Sequence, residues 1–453
     1  MIDALVVGSG PAGMSAAIGL LEQGLTVTVV DDQPAPGGRI FASIETRAAK
    51  GVEDRGGASL VSRFRAAGGT YLPGAELWGL ETSPIRVFVT LQGRARMLKP
   101  RFVVLATGAQ ERPMPFPGWE LPGVMTVGSA QILLKTARQV PDRPVWLAGT
   151  GPLLLLFARQ LIENGGAIAG ILDTTPPGRP AAAARHLPGA LPYGWRDLAR
   201  GARWLVGMRG IRTVRHVASI RAVGEARLQS VHWHTHGGEE GFAVSDLLLT
   251  HDGVVPAIHG TLAADCDHHW NADQQCFEPI VDAWGETSRS GIYVVGDGAT
   301  IRGARSAALS GALAALGIAV AAGRLGTSQA EAAADAIRRE IKAGARFRRL
   351  VDTLYPPSRL PIPDDAMLCR CEEVTAGRIR KELRDRPHMG ADGVKVETRA
   401  GMGPCQGRQC GLGITRLVAE MHRKTESEVG FLRIRPPLKP LTLRELAALE
   451  DDK

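Results

Sequence analysis

Apolar residues along this chain fall into short runs broken by glycine, and the first run sets the pattern for the rest. Residues 2–7 read as a buried strand, VVGSGPAGMSA follows as a turn, the next pattern is helical up to Gly24, and residues 26–30 return as a second strand. Residues 70–101 alternate apolar and polar as a small antiparallel sheet would, and residues 102–105 form a strand that runs into Ala106, Thr107 and Gly108. A proline-rich crossing at 112–122 leads to a repeat of the opening: a strand at 145–148, the turn and helix AGTGPLLLLFARQ, and a strand at 167–172 ending at Asp173. After strand-like patterning at 211–249, a strand at 292–295 delivers Gly296, Asp297 and Gly298 ahead of a long helix of small residues. The longest apolar run, 307–322, is interrupted by Ser310, Gly311 and Gly317 and is short for a bilayer span, so a buried helix is expected. Residues 327–349 read as a basic helix and 355–363 as a proline-rich linker to a last, cysteine-bearing module.

A chain of 453 residues at 44% hydrophobic composition can bury a substantial core, and its length suggests two to four domains. The formal charge of +8 favours an acidic partner or an anionic membrane surface, but no nucleic-acid motif accompanies it and no nucleic-acid partner is expected. Met1 leads straight into a strand without a basic and apolar leader, so the expected location is the cytoplasm, with at most peripheral contact on the inner face of the membrane. Six cysteines, four of them crowded near the end of the chain, do not look like a secreted disulfide framework and fit a metal or cluster site.

The opening turn has the residues a bound dinucleotide needs. Gly8 permits a tight turn, Gly10 lets backbone approach a pyrophosphate and Gly13 lets helix and strand touch, with Pro11 and Ala12 completing the turn. The acid expected roughly twenty residues on, to accept hydrogen bonds from ribose hydroxyls, is Asp31, and Asp32 can share the task. In PAPGGRIF, Gly37 and Gly38 allow close backbone approach, and Arg39 is either a flavin or phosphate contact or a solvated loop arginine. Thr107 and Gly108 let the chain turn beneath a cofactor, while Gly296 and Asp297 put a carboxylate within reach of a ribityl hydroxyl, beside a helix N-terminus. The second turn keeps Gly149 and Gly151, but Leu154 takes the third glycine's place and would hold helix and strand apart. A second nucleotide there, NAD(P) or ATP, and a fold that has lost its ligand are both open readings. Cys266, His268, His269 and Cys276 lie close in sequence but match no familiar zinc spacing, and their surroundings read as a surface loop.

The last module carries Cys369 and Cys371 as C-x-C, then Cys405 and Cys410 as C-x4-C. Four thiolates in two pairs can close a tetrahedral shell around zinc or share the two irons of a [2Fe–2S] cluster. Structural zinc sites favour C-x2-C knuckles, whereas glycines at 401, 403, 407, 411 and 413 expose N–H groups to cluster sulfurs, and Arg370, Arg399 and Arg408 offset cluster charge. These details favour iron.

Two glycine-rich units, the ATG turn and the GDG strand together resemble the two-dinucleotide-domain flavoproteins that include glutathione and thioredoxin reductases, over about residues 1–323. The resemblance implies FAD, with Gly8, Gly10, Gly13, Asp31, Gly38, Arg39, Thr107, Gly108 and Asp297 at the matching positions. Neither unit carries the redox cysteine pair of those reductases, so disulfide reduction is not expected. The C-terminal stretch resembles the bacterioferritin-associated-ferredoxin-like (BFD-like) [2Fe–2S] domain, whose cysteines match Cys369, Cys371, Cys405 and Cys410, although the second pair is wider than the C-x2-C of the simplest members.

The order of modules, with PGGRIF, PGWELPGVMT, AGTGPLLLL and TRAGMGPCQGRQCG, is similar over nearly the whole chain to the α-type subunits of multisubunit bacterial amino acid and opine dehydrogenases. That group includes the A-type subunit of opine oxidase, the α subunits of D-hydroxyproline and dye-linked proline dehydrogenases, and the B-type subunit of hydrogen cyanide synthase. The expected α/β architecture is glutathione-reductase-like: a discontinuous FAD unit (1–112 and 250–324), an inserted NAD(P)-binding-like unit (113–249), the helix and linker (325–366), the α-rich [2Fe–2S] domain (367–430) and a tail (431–453). The resemblance implies an electron-transfer subunit that works with an FAD-containing, substrate-oxidising β subunit, with or without a small γ subunit. It also leaves room for an FMN at a subunit interface. The substrate would be an amino acid or opine such as D-hydroxyproline, proline, octopine or nopaline. No acid, base or nucleophile for substrate chemistry stands out, so no catalytic residue is named. Two alternatives remain: a self-sufficient NAD(P)H-dependent reductase, and a scaffold whose nucleotides are structural.

Overall fold

The computed structural model describes residues 2–47 and 51–451, and in it the apolar runs pair into two parallel sheets. The first has the order Ile292–Val294, Pro100–Leu105, Ile2–Val7, Val27–Asp31 and Thr70–Pro73, with Val7 level with both Val30 and Leu105. Its central strands are apolar almost throughout because both faces are covered: Ala4, Val6 and Val29 pack under the helices Pro11–Glu22 and Ala304–Ala321, and Leu5, Val7 and Val103 pack against Leu80, Val87 and Val89 of a small antiparallel sheet. Thr70–Pro73 extends this sheet as an edge and does not join the antiparallel one, which is Glu76–Thr82, Ile85–Leu91 and Arg94–Leu98. Alternation marks any half-buried strand, so it could not tell the two sheets apart.

Ala304–Ala321 is long and apolar enough to cross a bilayer but packs along Pro11–Glu22. A Cβ on Gly311 would lie 2.0 Å from the Ala12 carbonyl oxygen, so the run of small residues is what lets these two helices touch.

The second sheet has the order Thr213–Val214, Ile168–Asp173, Val145–Thr150, Leu248–Asp252 and Val124–Thr126, all parallel. Leu248–Asp252 carries on past residue 249 in this sheet, with Asp252 level with Thr150. An antiparallel meander, Val217–Val223, Ser230–Thr235 and Glu240–Val244, covers one face, where the rings of Trp146 and Trp233 are 5.3 Å apart. A ribbon of Ala109–Glu111 and Val254–Pro256 joins the two units.

Among the described residues three longer helices had no counterpart in the sequence pattern, Gly51–Ala66, Val127–Ala137 and Leu187–Gly207. The last contains Pro192 and several glycines, poor helix formers, and owes its helicity to packing: Gly194 lies against the Phe347 ring of the long helix Thr327–Leu354. That helix stops just before Pro356 and Pro357. The stretch around Cys266 is not a loop but runs into a hairpin, His268–Asn271 with Cys276–Pro279, because Cys266, Cys276 and Phe277 are buried and Thr261 bonds the His268 ring.

In the last module Leu368, Val374, Ile379, Leu383, Val394, Ile414 and Leu417 form a small core. The stretch expected as a tail belongs to it: Leu432, Ile434 and Leu438 are buried there. Leu438 N–H also donates to the Trp78 carbonyl at 2.8 Å, and Glu450–Asp451 pairs with Arg96 and Met97, so the end of the chain ties this module to the first unit.

Candidate functional site

One cavity of about 3500 Å³ runs across the carboxyl edge of the first sheet. Ligand pockets usually span about 300–1,000 Å³, so the cavity has room for an extended ligand and more. Gly8, Gly10, Pro11, Ala12, Asp31, Asp32, Gly38, Arg39, Thr107, Gly108 and Asp297 all line it. Gly13 and Gly296 lie behind its wall, and Gly149 and Gly151 lie outside it.

The turn is shaped for a ligand by what it lacks. A Cβ on Gly13 would fall 1.8 Å from the Gly8 carbonyl oxygen, and one on Gly38 would fall 2.9 Å from the Gly10 Cα. Gly37 N–H donates to the Ser9 carbonyl at 2.9 Å, so the PAPGG loop folds over the turn and leaves a backbone-walled groove at the start of Pro11–Glu22.

The two aspartates part company here. Asp31 is buried and turned inward, accepting from Ser9 N–H, from Ser9 Oγ at 2.6 Å and from Gln33 N–H at 2.7 Å. Burial raises its carboxyl above the ordinary carboxylate value, against those hydrogen bonds. Asp32 is exposed on the cavity wall and meets only Gln33 Nε2, at 2.9 Å. Asp31 thus braces the turn, while Asp32 presents an exposed carboxylate to the cavity.

At the other end, Thr107 Oγ1 donates to the Ala257 carbonyl at 3.1 Å, and Asp297 Oδ1 accepts from Arg302 and Gly303 N–H at 2.9 and 3.0 Å. The second oxygen of Asp297 stays available to the cavity, beside the uncapped N-terminus of Ala304–Ala321. Lys135, which nothing in the sequence singled out, enters from Val127–Ala137 and donates to the Ile40 carbonyl at 3.1 Å. Burial and the nearby Arg47 guanidinium lower it to about 8.

The second turn is differently arranged. Leu154 is buried in the core under its helix, and the buried His251 ring edge lies 3.5 Å from where a Gly151 Cβ would point. His251 Nδ1–H donates to Glu111 at 2.6 Å, and the other Glu111 oxygen accepts from Gly128 N–H at 2.9 Å.

The four module cysteines come together. Cys369 and Cys410 are close enough to share a proton, and so are Cys371 and Cys405. The Cys410 thiol draws Cys369 down to about 6 and is itself pushed up, while burial raises Cys371. All four thiols thus gather within reach of one another, as four thiolates that share two irons must. Gly401 N–H reaches the Cys369 sulfur, and a Cβ on Gly403 would fall 2.3 Å from the Cys371 Cβ. Gly411 and Gly413 instead make room for Phe431 and Leu368, a packing role. Of the arginines, Arg399 pairs with Glu372, Arg370 stacks over Trp119, and Arg408 donates to the Cys405 and Leu438 carbonyls.

The cysteine loop is bonded to the cavity wall. Gln110 Nε2 donates to the Arg408 carbonyl at 3.1 Å, and His259 Nε2–H donates to the Gln406 carbonyl at 3.0 Å. Burial drops His259 to about 3, so it is neutral, and its Nδ1 is a buried acceptor without a partner. Gln110, His259, Arg370 and Arg408 all line the same cavity as the glycine turn. Pattern reading missed His259 and Gln110 because one lone histidine or glutamine carries no spacing signal.

Residues 2–323 match the pyridine nucleotide-disulphide oxidoreductase family, and residues 367–420 match the BFD-like [2Fe-2S] binding domain. The A-type subunit of opine oxidase from Rhizobium meliloti is 40% identical over 465 residues, covering 99% of this chain and 87% of that protein. Hydrogen cyanide synthase subunit HcnB of Pseudomonas protegens is 29% identical, covering 97% of this chain and 96% of that protein. In fold, the chain is like L-proline dehydrogenase from P. horikoshii, with a TM-score of 0.69 over 98% of this chain and 79% of that one at 20% identity.

Proposed function

Since this chain belongs to the pyridine nucleotide-disulphide oxidoreductase family and carries a BFD-like [2Fe-2S] domain behind it, we propose that it is the electron-transfer subunit of a heteromeric amino acid or opine dehydrogenase. It is an oxidoreductase of a type that works within a complex, as the subunit names of its relatives indicate. The family implies FAD and the domain implies the cluster. Bound together, they convert two-electron into single-electron transfer.

The chain's own residues have simpler tasks. In this reading the Gly8–Gly13 turn and the N-terminus of Pro11–Glu22 receive the pyrophosphate, Asp32 the ribose, and Asp297 the ribityl chain, while Cys369, Cys371, Cys405 and Cys410 hold the irons. The observation that carries the proposal is the bonding of the cysteine loop to the cavity wall through Gln110 and His259, which makes one contiguous body of the two cofactor sites.

A partner subunit that oxidises the C–N bond is part of this proposal. An exposed apolar stripe on Leu187–Gly207 supports it: Leu191, Trp195, Leu205 and Val206 are 47, 56, 52 and 53% exposed beside the cavity mouth. The cavity's volume beyond one dinucleotide supports an additional FMN at that mouth. The proposal keeps the chain in the cytoplasm, at most peripheral to a membrane. Its test is anaerobic titration of the co-purified complex with D- and L-amino acids and opines. Flavin bleaching with a cluster signal is expected, and no turnover from this chain alone. Unaided amine oxidation by the isolated chain overturns the proposal.

A further inference from the structure

In a unit of this kind a dinucleotide lies across the carboxyl ends of the parallel strands, with its pyrophosphate at the helix that follows the glycine turn. In the second sheet those ends are Asp173, Thr150 and Asp252, on three neighbouring strands with Thr150 in the middle. The chain's own linker crosses the same edge. It leaves the helix Thr327–Leu354 at Tyr355, which lines the same cavity as Pro152 and Leu153 and lies near enough to Asp173 to feel its charge. Three residues later, Ser358 N–H donates to Asp252 Oδ1 at 2.8 Å. Three extended steps cover about 10 Å, and two strand spacings are about 9.6 Å. The linker therefore passes over the tip of the middle strand, where the Gly149–Gly151 turn lies.

It is also fastened on both sides. Arg112 donates to the Asp252 carbonyl at 3.1 Å and fixes the residue that holds Ser358. Leu360 is buried with Trp146 and Leu248 under the sheet, and Arg416 of the cysteine module donates to the Arg359 carbonyl at 3.2 Å. The cavity reaches Pro152 and Leu153 at the start of the helix but not Gly149 or Gly151, against which His251 packs from the Asp252 strand.

We propose that residues 355–358 are a built-in plug of the second dinucleotide groove, which decides the electron donor by excluding NAD(P)H. Tyr355 fills the adenosine side, beside the acid that would have held a ribose, and the Ser358–Asp252 bond closes the side facing the first unit. The plug concerns only the second sheet and stands or falls independently of the electron-transfer reading.

The flavin-loaded full chain is titrated calorimetrically with NADPH, NADH and ADP-ribose, the flavin keeping the first site filled. No saturable binding up to millimolar ligand and no bleaching by NADPH are expected. Uptake of one equivalent at micromolar ligand overturns the plug. Tyr355→Gly, and separately Ser358→Pro, which deletes the N–H that Asp252 holds, are then titrated after flavin and iron contents have been matched to the parent. At least a tenfold gain in ADP-ribose affinity in one of them is expected. If both fold with full cofactor content and stay closed, the linker is not what shuts the groove and the inference is wrong.

Discussion

Single side chains in this protein are assigned by what they already bond to. Asp31 and Asp32 are adjacent and chemically alike, yet Asp31 is spent on Ser9 and the Gln33 backbone N–H, while Asp32 meets the Gln33 side chain through one oxygen. Asp31→Ala leaves buried N–H groups without an acceptor and should lower stability by about 1–3 kcal/mol, read as a shift in denaturation midpoint. Asp32→Ala should leave the midpoint alone and weaken flavin retention by roughly tenfold or more, read by dialysis against absorbance. If the two effects are exchanged, the assignment is reversed. Lys135 gives a pH test. Its folded value, about 8, lies below the ordinary 10.5, so the unfolded chain binds more protons between those values and Lys135 makes stability rise with pH across that window. Replacing it by Met should flatten the rise, measured as urea midpoints of both proteins at pH 7.5 and 9.5. An unchanged slope would mean that the amine is not desolvated.

Among the elements, the end of the chain matters more than its composition suggests. Leu432 is fully buried against Gly401, 2.8 Å from where a Cβ would sit, and so holds the loop that carries Cys405 and Cys410. Leu432→Ala should cost about 2–5 kcal/mol in the last module. The ratio of iron to flavin should fall while flavin content holds. Equal loss of both would mean that the module and the first unit unfold together. Most strands and most long helices were legible because a two-fold or helical period persists whatever they pack against. Leu187–Gly207 was not, since its prolines and glycines speak against a helix and its packing against Thr327–Leu354 and Pro152–Glu163 holds it in one.

At the scale of the whole molecule, the proposed electron transfer depends on how the two cofactor sites meet. His259 lines the cavity and bonds the cysteine loop through Nε2. His259→Leu removes that link without touching either glycine turn or any cysteine. Both cofactors should be retained, and in stopped-flow reduction of the complex cluster reduction should lag behind flavin bleaching more than in the parent. Unchanged kinetics would place the electron route elsewhere on the shared wall.

The sequence by itself determined the two glycine turns, the degraded third position at Leu154, and the four cysteines in two pairs, because these depend on residue types at fixed short spacings. Only the tertiary structure decided that Asp31 faces inward and Asp32 outward, that His259 and Gln110 bridge to the cysteine loop, and that the proline-rich linker bonds to Asp252 at the end of a strand of the second sheet. Each of these depends on residues far apart in the chain meeting in space. That is a property of packing, which a local pattern of apolar and polar positions does not carry.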